Sequence, residues 1–129
     1  MIRRPSAAVA ATGLALLVAV AACRSGPSTE PPPEVPEGNP ARGADLIQRF
    51  GCGSCHIVPG IPDADGLVGP PLIRFGSRQV IAGRLANNGD NLIRWVMDPQ
   101  VVEPGTDMPD LRVTEQQARD IAAYLFTLK

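Results

Sequence analysis

The chain is 129 residues long, with 13 Gly, 14 Pro, five aromatics, three Cys and one His, which allows one small domain and excludes a multi-helix membrane protein. Twelve Lys and Arg stand against 13 Asp and Glu, so the charge is near balance and there is no basic stripe for nucleic acid. Folding must offset roughly 1–2 kcal/mol of backbone entropy per residue, and with so few aromatic side chains a non-protein group is expected in the core.

Residues 1–22 read as an export signal: Arg3 and Arg4 supply the positive start, and Ala7 to Ala22 is apolar apart from Thr12 and Gly13. This run is short for a spanning helix. Val20-Ala21-Ala22-Cys23 resembles the lipobox of bacterial lipoproteins, in which the Cys is lipidated and becomes the mature N-terminus. The other readings are an uncleaved anchor, or a nearby cut that leaves a bare Cys23 thiol. A lipidated Cys23 would tether an exported protein to the membrane, facing the periplasm or the cell exterior, at ~0.8 kcal/mol per buried CH₂. Residues 23–39 are expected to be this anchor and a linker. Pro27, Pro31, Pro32, Pro33 and Pro36 favour extended polyproline geometry, whose ~3.1 Å rise gives a reach of roughly 50 Å.

Residues 40–129 form the expected domain. Asn39 can cap a helix with Pro40 at its first position, and Gly43, Leu46, Ile47 and Phe50 recur at helical spacing before Gly51 and Gly53 stop it. Next comes Cys52-Gly53-Ser54-Cys55-His56, a C-x-x-C-H sequence that marks c-type haem attachment. Two thiols at this spacing can add to the two vinyl groups of one porphyrin, and the following imidazole becomes the iron's proximal ligand. A structural zinc site would need a second ligand pair, and a thioredoxin-like dithiol would need a βαβ setting; neither is present in the sequence. A local disulfide is the remaining alternative.

From Val58 to Gly89 the chain is rich in Gly and Pro, a loop too long for a compact domain unless a rigid cofactor gives it a surface to wrap. A helix over Asn91–Met97 must end near Asp98, because Pro99 follows. With no second His, and Lys129 the lone lysine, the sixth iron ligand is Met97, Met108, water or nothing. Met97 sits within the helix and suits packing. Met108 lies in Pro104-Gly105-Thr106-Asp107-Met108-Pro109, where a fixed loop can present a side chain, and is favoured. Thr114 with Gln117 forms a capping box for a last helix with Ala118, Ile121, Ala122, Leu125 and Leu128 on one face.

Taken together, Gly43, the Cys52–His56 motif, Gly69-Pro70-Pro71-Leu72, Asn91-Leu92 through Trp95, Pro104-Gly105-Thr106 with Met108, and Arg119 to Leu125 resemble the class I monohaem cytochromes c from Asn39 to Lys129. The resemblance implies a small all-α fold of about three to five helices, with long loops around one covalent haem c. It implies iron held by His56 and Met108, and a Pro70 carbonyl accepting the Nδ1 proton of His56. It also implies that Trp95 packs near the haem and that an Arg after Phe75 reaches a propionate, Arg78 being the better match and Arg84 the alternative. The first and last helices are expected to cross at Gly43.

The function expected is one-electron transfer in a respiratory chain by a carrier rather than an enzyme, delivering electrons to a terminal oxidase at a positive potential. Donor and acceptor would be redox proteins, such as a haem-copper oxidase or a dehydrogenase, met either transiently or as a permanent subunit. Many relatives ring the haem edge with lysines, and this chain has none before Lys129; a tether would make such steering unnecessary. The rival reading is a catalytic or gas-sensing haem with a labile sixth ligand, which would bind CO in the native fold.

Overall fold

A computed structural model describes residues 28–129. The expected export signal, residues 1–22, and Cys23 lie outside the described residues. Four helices and two short 3₁₀ turns dominate: α1 Pro40–Arg49, α2 Gly89–Met97, α3 Pro99–Val102 and α4 Glu115–Thr127. The all-α class holds. The one addition is a two-residue hairpin, β1 Val80–Ile81 against β2 Leu85–Ala86, antiparallel with Ile81 opposite Leu85, turning through Ala82 and Gly83 at φ 48° and 73°.

Each helix starts where its cap dictates. The Asn39 side chain accepts from the Arg42 N–H at 2.9 Å with Pro40 at the first helical position, and Gly51 at φ 70° ends α1 in the left-handed conformation. Asn88 accepts from the Asn91 N–H, so α2 begins before Asn91. Asp98 ends α2 and caps α3 in turn, accepting from the Val101 N–H at 3.1 Å. Thr114 and Gln117 form the reciprocal capping box of α4.

The helices α1 and α4 cross at Gly43. A Cβ there would lie 2.7 Å from the Asp120 carbonyl carbon and 2.9 Å from Tyr124 Cβ, so only a bare Cα allows this approach. Ile47 from α1, Leu92 from α2 and Ala118, Ala122, Ala123 and Phe126 from α4 are buried at the shared core, with Phe75 edge-on to Phe126 at 6.4 Å between centroids. Beside the crossing, the buried Asp120 carboxylate accepts from the Asn39 N–H at 2.8 Å, from Arg42 Nε at 2.8 Å and from Gln116 Nε2 at 3.2 Å. Burial pushes this carboxyl up, but the hydrogen bonds and the charge of Arg42 outweigh it, leaving it below the usual carboxylate range.

The proline-rich segment is not a spacer along its whole length. Val35 is 1% exposed, Val35 and Gly38 close successive turns through bonds to the carbonyls of Pro32 and Val35, and Lys129 Nζ pairs with Glu34 at 3.0 Å. Residues 32–38 therefore belong to the fold: they strap α2 and α4, and Gly89 and Gly38 leave room for the strap backbone and for the α4 backbone, respectively.

Candidate functional site

The haem-attachment motif follows α1 directly. A 3₁₀ turn at Cys52–Ser54 is closed by Cys55 N–H and His56 N–H, both donating to the Cys52 carbonyl at 3.2 and 3.0 Å. In 3₁₀ geometry residues three apart eclipse, which brings the two thiols to one side, and both line the same cavity as His56. They are not joined by a disulfide. Burial, reinforced by the neighbouring Cys55, pushes the Cys52 thiol up and outweighs a backbone hydrogen bond, so it stays a neutral thiol at pH 7.

The long loop after the motif folds back over it. Gly66 and Gly69 N–H groups donate to the carbonyls of Gly53 and Cys55 at 2.9 and 2.8 Å, and Leu72 N–H to Ile57 at 2.8 Å. Tyr124 Oη donates to the Pro59 carbonyl at 2.6 Å, tying the loop to α4. His56 Nδ1 lies 2.8 Å from the Pro70 carbonyl oxygen. A carbonyl can only accept, so Nδ1 carries a proton, and in the neutral ring Nε2 is then the nitrogen that can ligate a metal. Gly69 is pressed to the ring: a Cβ there would lie 2.7 Å from Nδ1 and 2.9 Å from Nε2.

The cavity measures about 670 Å³, the size of a site for a large organic cofactor. Its apolar walls come from α1 (Ile47), α2 (Leu92, Trp95, Val96) and α4 (Ile121, Leu125). The half-buried Met108 reaches the same cavity from the Pro104–Pro109 loop. Met97 instead packs against the core from α2. These residues fit a haem: two thiols, one imidazole, one thioether and an aliphatic lining share one cavity.

Arg78 lines the cavity, but its guanidinium donates to the carbonyls of Pro71 and of Ile73, the latter at 3.1 Å, and lies 5.4 Å from the Phe75 ring centroid. In this structure it holds the stretch that follows Pro70, and thereby the acceptor of the His56 proton. Arg84 pairs with Glu103 at 2.9 Å and donates to the Val102 carbonyl at 2.6 Å, pinning the hairpin to the end of α3. Sequence reasoning missed Gln100, whose carboxamide bonds to three positions of the Met108 loop; no periodicity or motif announces such a contact.

The cytochrome c family model matches residues 40–129. The chain belongs to the cytochrome c family. Membership brings covalently bound haem c and a role in electron transfer to this cytochrome c. Among curated proteins it is similar to cytochrome c oxidase subunit 2 of Alkalihalophilus pseudofirmus, 38% identical over 89 residues that make up 68% of this chain and 25% of that protein. It is also similar to cytochrome c oxidase subunit 2 of Bacillus sp. strain PS3, at 36% over 93 residues, and of Bacillus subtilis, at 30% over 92 residues. In both, the match covers 26% of the relative and about two thirds of this chain, 69% and 68%, so this cytochrome c spans about a quarter of the length of the curated relatives it matches.

Proposed function

We propose that this cytochrome c is a membrane-tethered, single-haem electron carrier of a respiratory chain that hands electrons to a terminal oxidase and catalyses no reaction of its own. The observation that carries the reading is the convergence of His56 and Met108 on one apolar cavity. The likeness to oxidase subunit 2 proteins supports the acceptor, and the lipobox-like Val20–Cys23 supports the tether.

When bound, the haem supplies the one-electron Fe(III)/Fe(II) couple. The chain holds it through Cys52 and Cys55 and offers His56 Nε2 and the Met108 sulfur to the iron. Pro70 keeps the imidazole proton on Nδ1 and fixes the ring plane. Ile47, Leu92, Ile121 and Leu125 exclude water from the cavity, and a low-dielectric site with a thioether ligand favours the less charged ferrous state and raises the potential.

The test is a reduced-minus-oxidised spectrum of the membrane fraction with identification of what copurifies, repeated for Met108→Ala. We expect a low-spin spectrum with one haem per chain, an iron–sulfur charge-transfer band that Met108→Ala abolishes, and oxidase subunits in the copurifying fraction. Native CO binding would refute the carrier reading, and a fully released holoprotein would refute the tether.

A further inference from the structure

We infer that Gln100 is a positioning residue for the sixth iron ligand: its carboxamide staples the Pro104–Met108 loop to α3 and sets how readily Met108 is displaced. The inference rests on the reading of Met108 as that ligand.

The loop that carries Met108 has no ladder of its own. Gly105 bends it at φ 86°, Thr106 N–H donates to the Glu103 carbonyl at 3.1 Å, and Met108 N–H reaches Thr106 Oγ1 only at 3.4 Å. Gln100 supplies the rest. Its Nε2 donates to the Thr106 carbonyl at 2.7 Å and to the carbonyl of Met108 itself at 3.1 Å, while Oε1 accepts from the Gly105 N–H at 3.3 Å. One side chain thus uses both amide protons and a lone pair on three loop positions.

The platform beneath it is firm. Asp98 caps α3, Pro99 is buried at its first position, and Arg84 grips the Val102 carbonyl and Glu103 at its far end. A carboxamide is the side-chain group that donates twice and accepts at once, and Asn would fall a methylene short. Leu would fill a similar volume without bonds, and Glu would set a carboxylate against two carbonyl oxygens.

An external base can reach the iron only when the loop has swung Met108 away, so its apparent affinity scales with the population of the open loop. The experiment is imidazole titration of the ferric, full-chain holoprotein as wild type, Gln100→Leu, Gln100→Glu, Met108→Ala and the Gln100→Leu/Met108→Ala double variant. Because Gln100 is exposed, its variants keep the core. Losing bonds that water replaces in part should tighten imidazole binding about tenfold in Gln100→Leu, and further in Gln100→Glu. In the Met108→Ala background, Gln100→Leu should change nothing further. Affinities of both Gln100 variants within roughly twofold of wild type, or an undiminished Gln100→Leu effect in the Met108→Ala background, overturn the proposal. If Met108→Ala itself binds imidazole as weakly as wild type, Met108 is not the ligand, and the inference falls with that reading rather than on its own account.

Discussion

The substitution Gly43→Ala pits two effects of opposite sign against each other. On helix propensity alone, replacing a mid-helix glycine by alanine stabilises by roughly 0.8–1 kcal/mol. At this crossing, however, the new Cβ would press on the Asp120 carbonyl group, 2.7 Å from its carbon, and lie 2.9 Å from Tyr124 Cβ, whereas carbon atoms rest at about 3.5–4.0 Å. The α1 and α4 backbones would have to part by about 1 Å along a seam that also holds Ile47 and Ile121, both walls of the cavity. Overpacking of a tight core costs typically 1–3 kcal/mol, and occasionally more. Because the neighbour is helix backbone rather than a flexible side-chain tip, the upper part of that range applies, and the net is a loss of about 1–2 kcal/mol. Urea denaturation of the holoprotein, followed by far-UV dichroism and haem absorbance, measures it as a lower midpoint at unchanged slope. A Gly43→Ala variant at or above the wild-type midpoint would refute the close crossing and leave propensity as the whole effect.

Two further predictions follow from the polar and ligand contacts. Asp120 has its carboxyl held below the usual range in the fold, so its contribution is full above the unfolded value of about 3.9 and is lost as pH falls through that value toward the folded one. Asp120→Asn should cost about 2–3 kcal/mol at pH 7 and flatten the acid limb of urea midpoint against pH; parallel limbs in the two proteins would contradict this. Gly69→Ala would drive a methyl into the His56 ring, tilting it off the Pro70 carbonyl, and should reduce haem incorporation several-fold by the pyridine haemochrome assay. Normal incorporation with an unchanged potential would show that the ring is not held there.

The parts of this fold that are legible in the sequence are those set by short-range chemistry. Asn39-Pro40 and the Thr114/Gln117 box start α1 and α4 because caps act within a few residues. The Cys52–His56 spacing works for the same reason. The hairpin at Val80–Ala86 is illegible because two-residue strands carry no period. The α2 start at Gly89 hides because glycine reads as a breaker, and its reason is the strap carbonyl of Glu34 lying against it. Val35 reads as linker because its burial depends on partners far along the chain. Within the site, the sequence points to His56 and Met108, but the groups that hold them, Arg78 on the Pro71 and Ile73 carbonyls and Gln100 on the methionine loop, bind backbone atoms that every residue type presents alike.

Docking of Val35 also alters the mechanics of attachment in the tethered form proposed above. With residues 32–38 taken into the fold, the sequence leaves residues 24–31, about eight residues, between Cys23 and the strap, so the greatest reach of such a leash would be ~25 Å at a polyproline rise, instead of roughly 50 Å. Effective concentration at a fixed neighbour falls about as the −3/2 power of leash length, so halving it raises that concentration nearly threefold. In that tethered form the domain would patrol a thin layer against the bilayer, and acceptors whose entry site stands much above that layer would be out of its range.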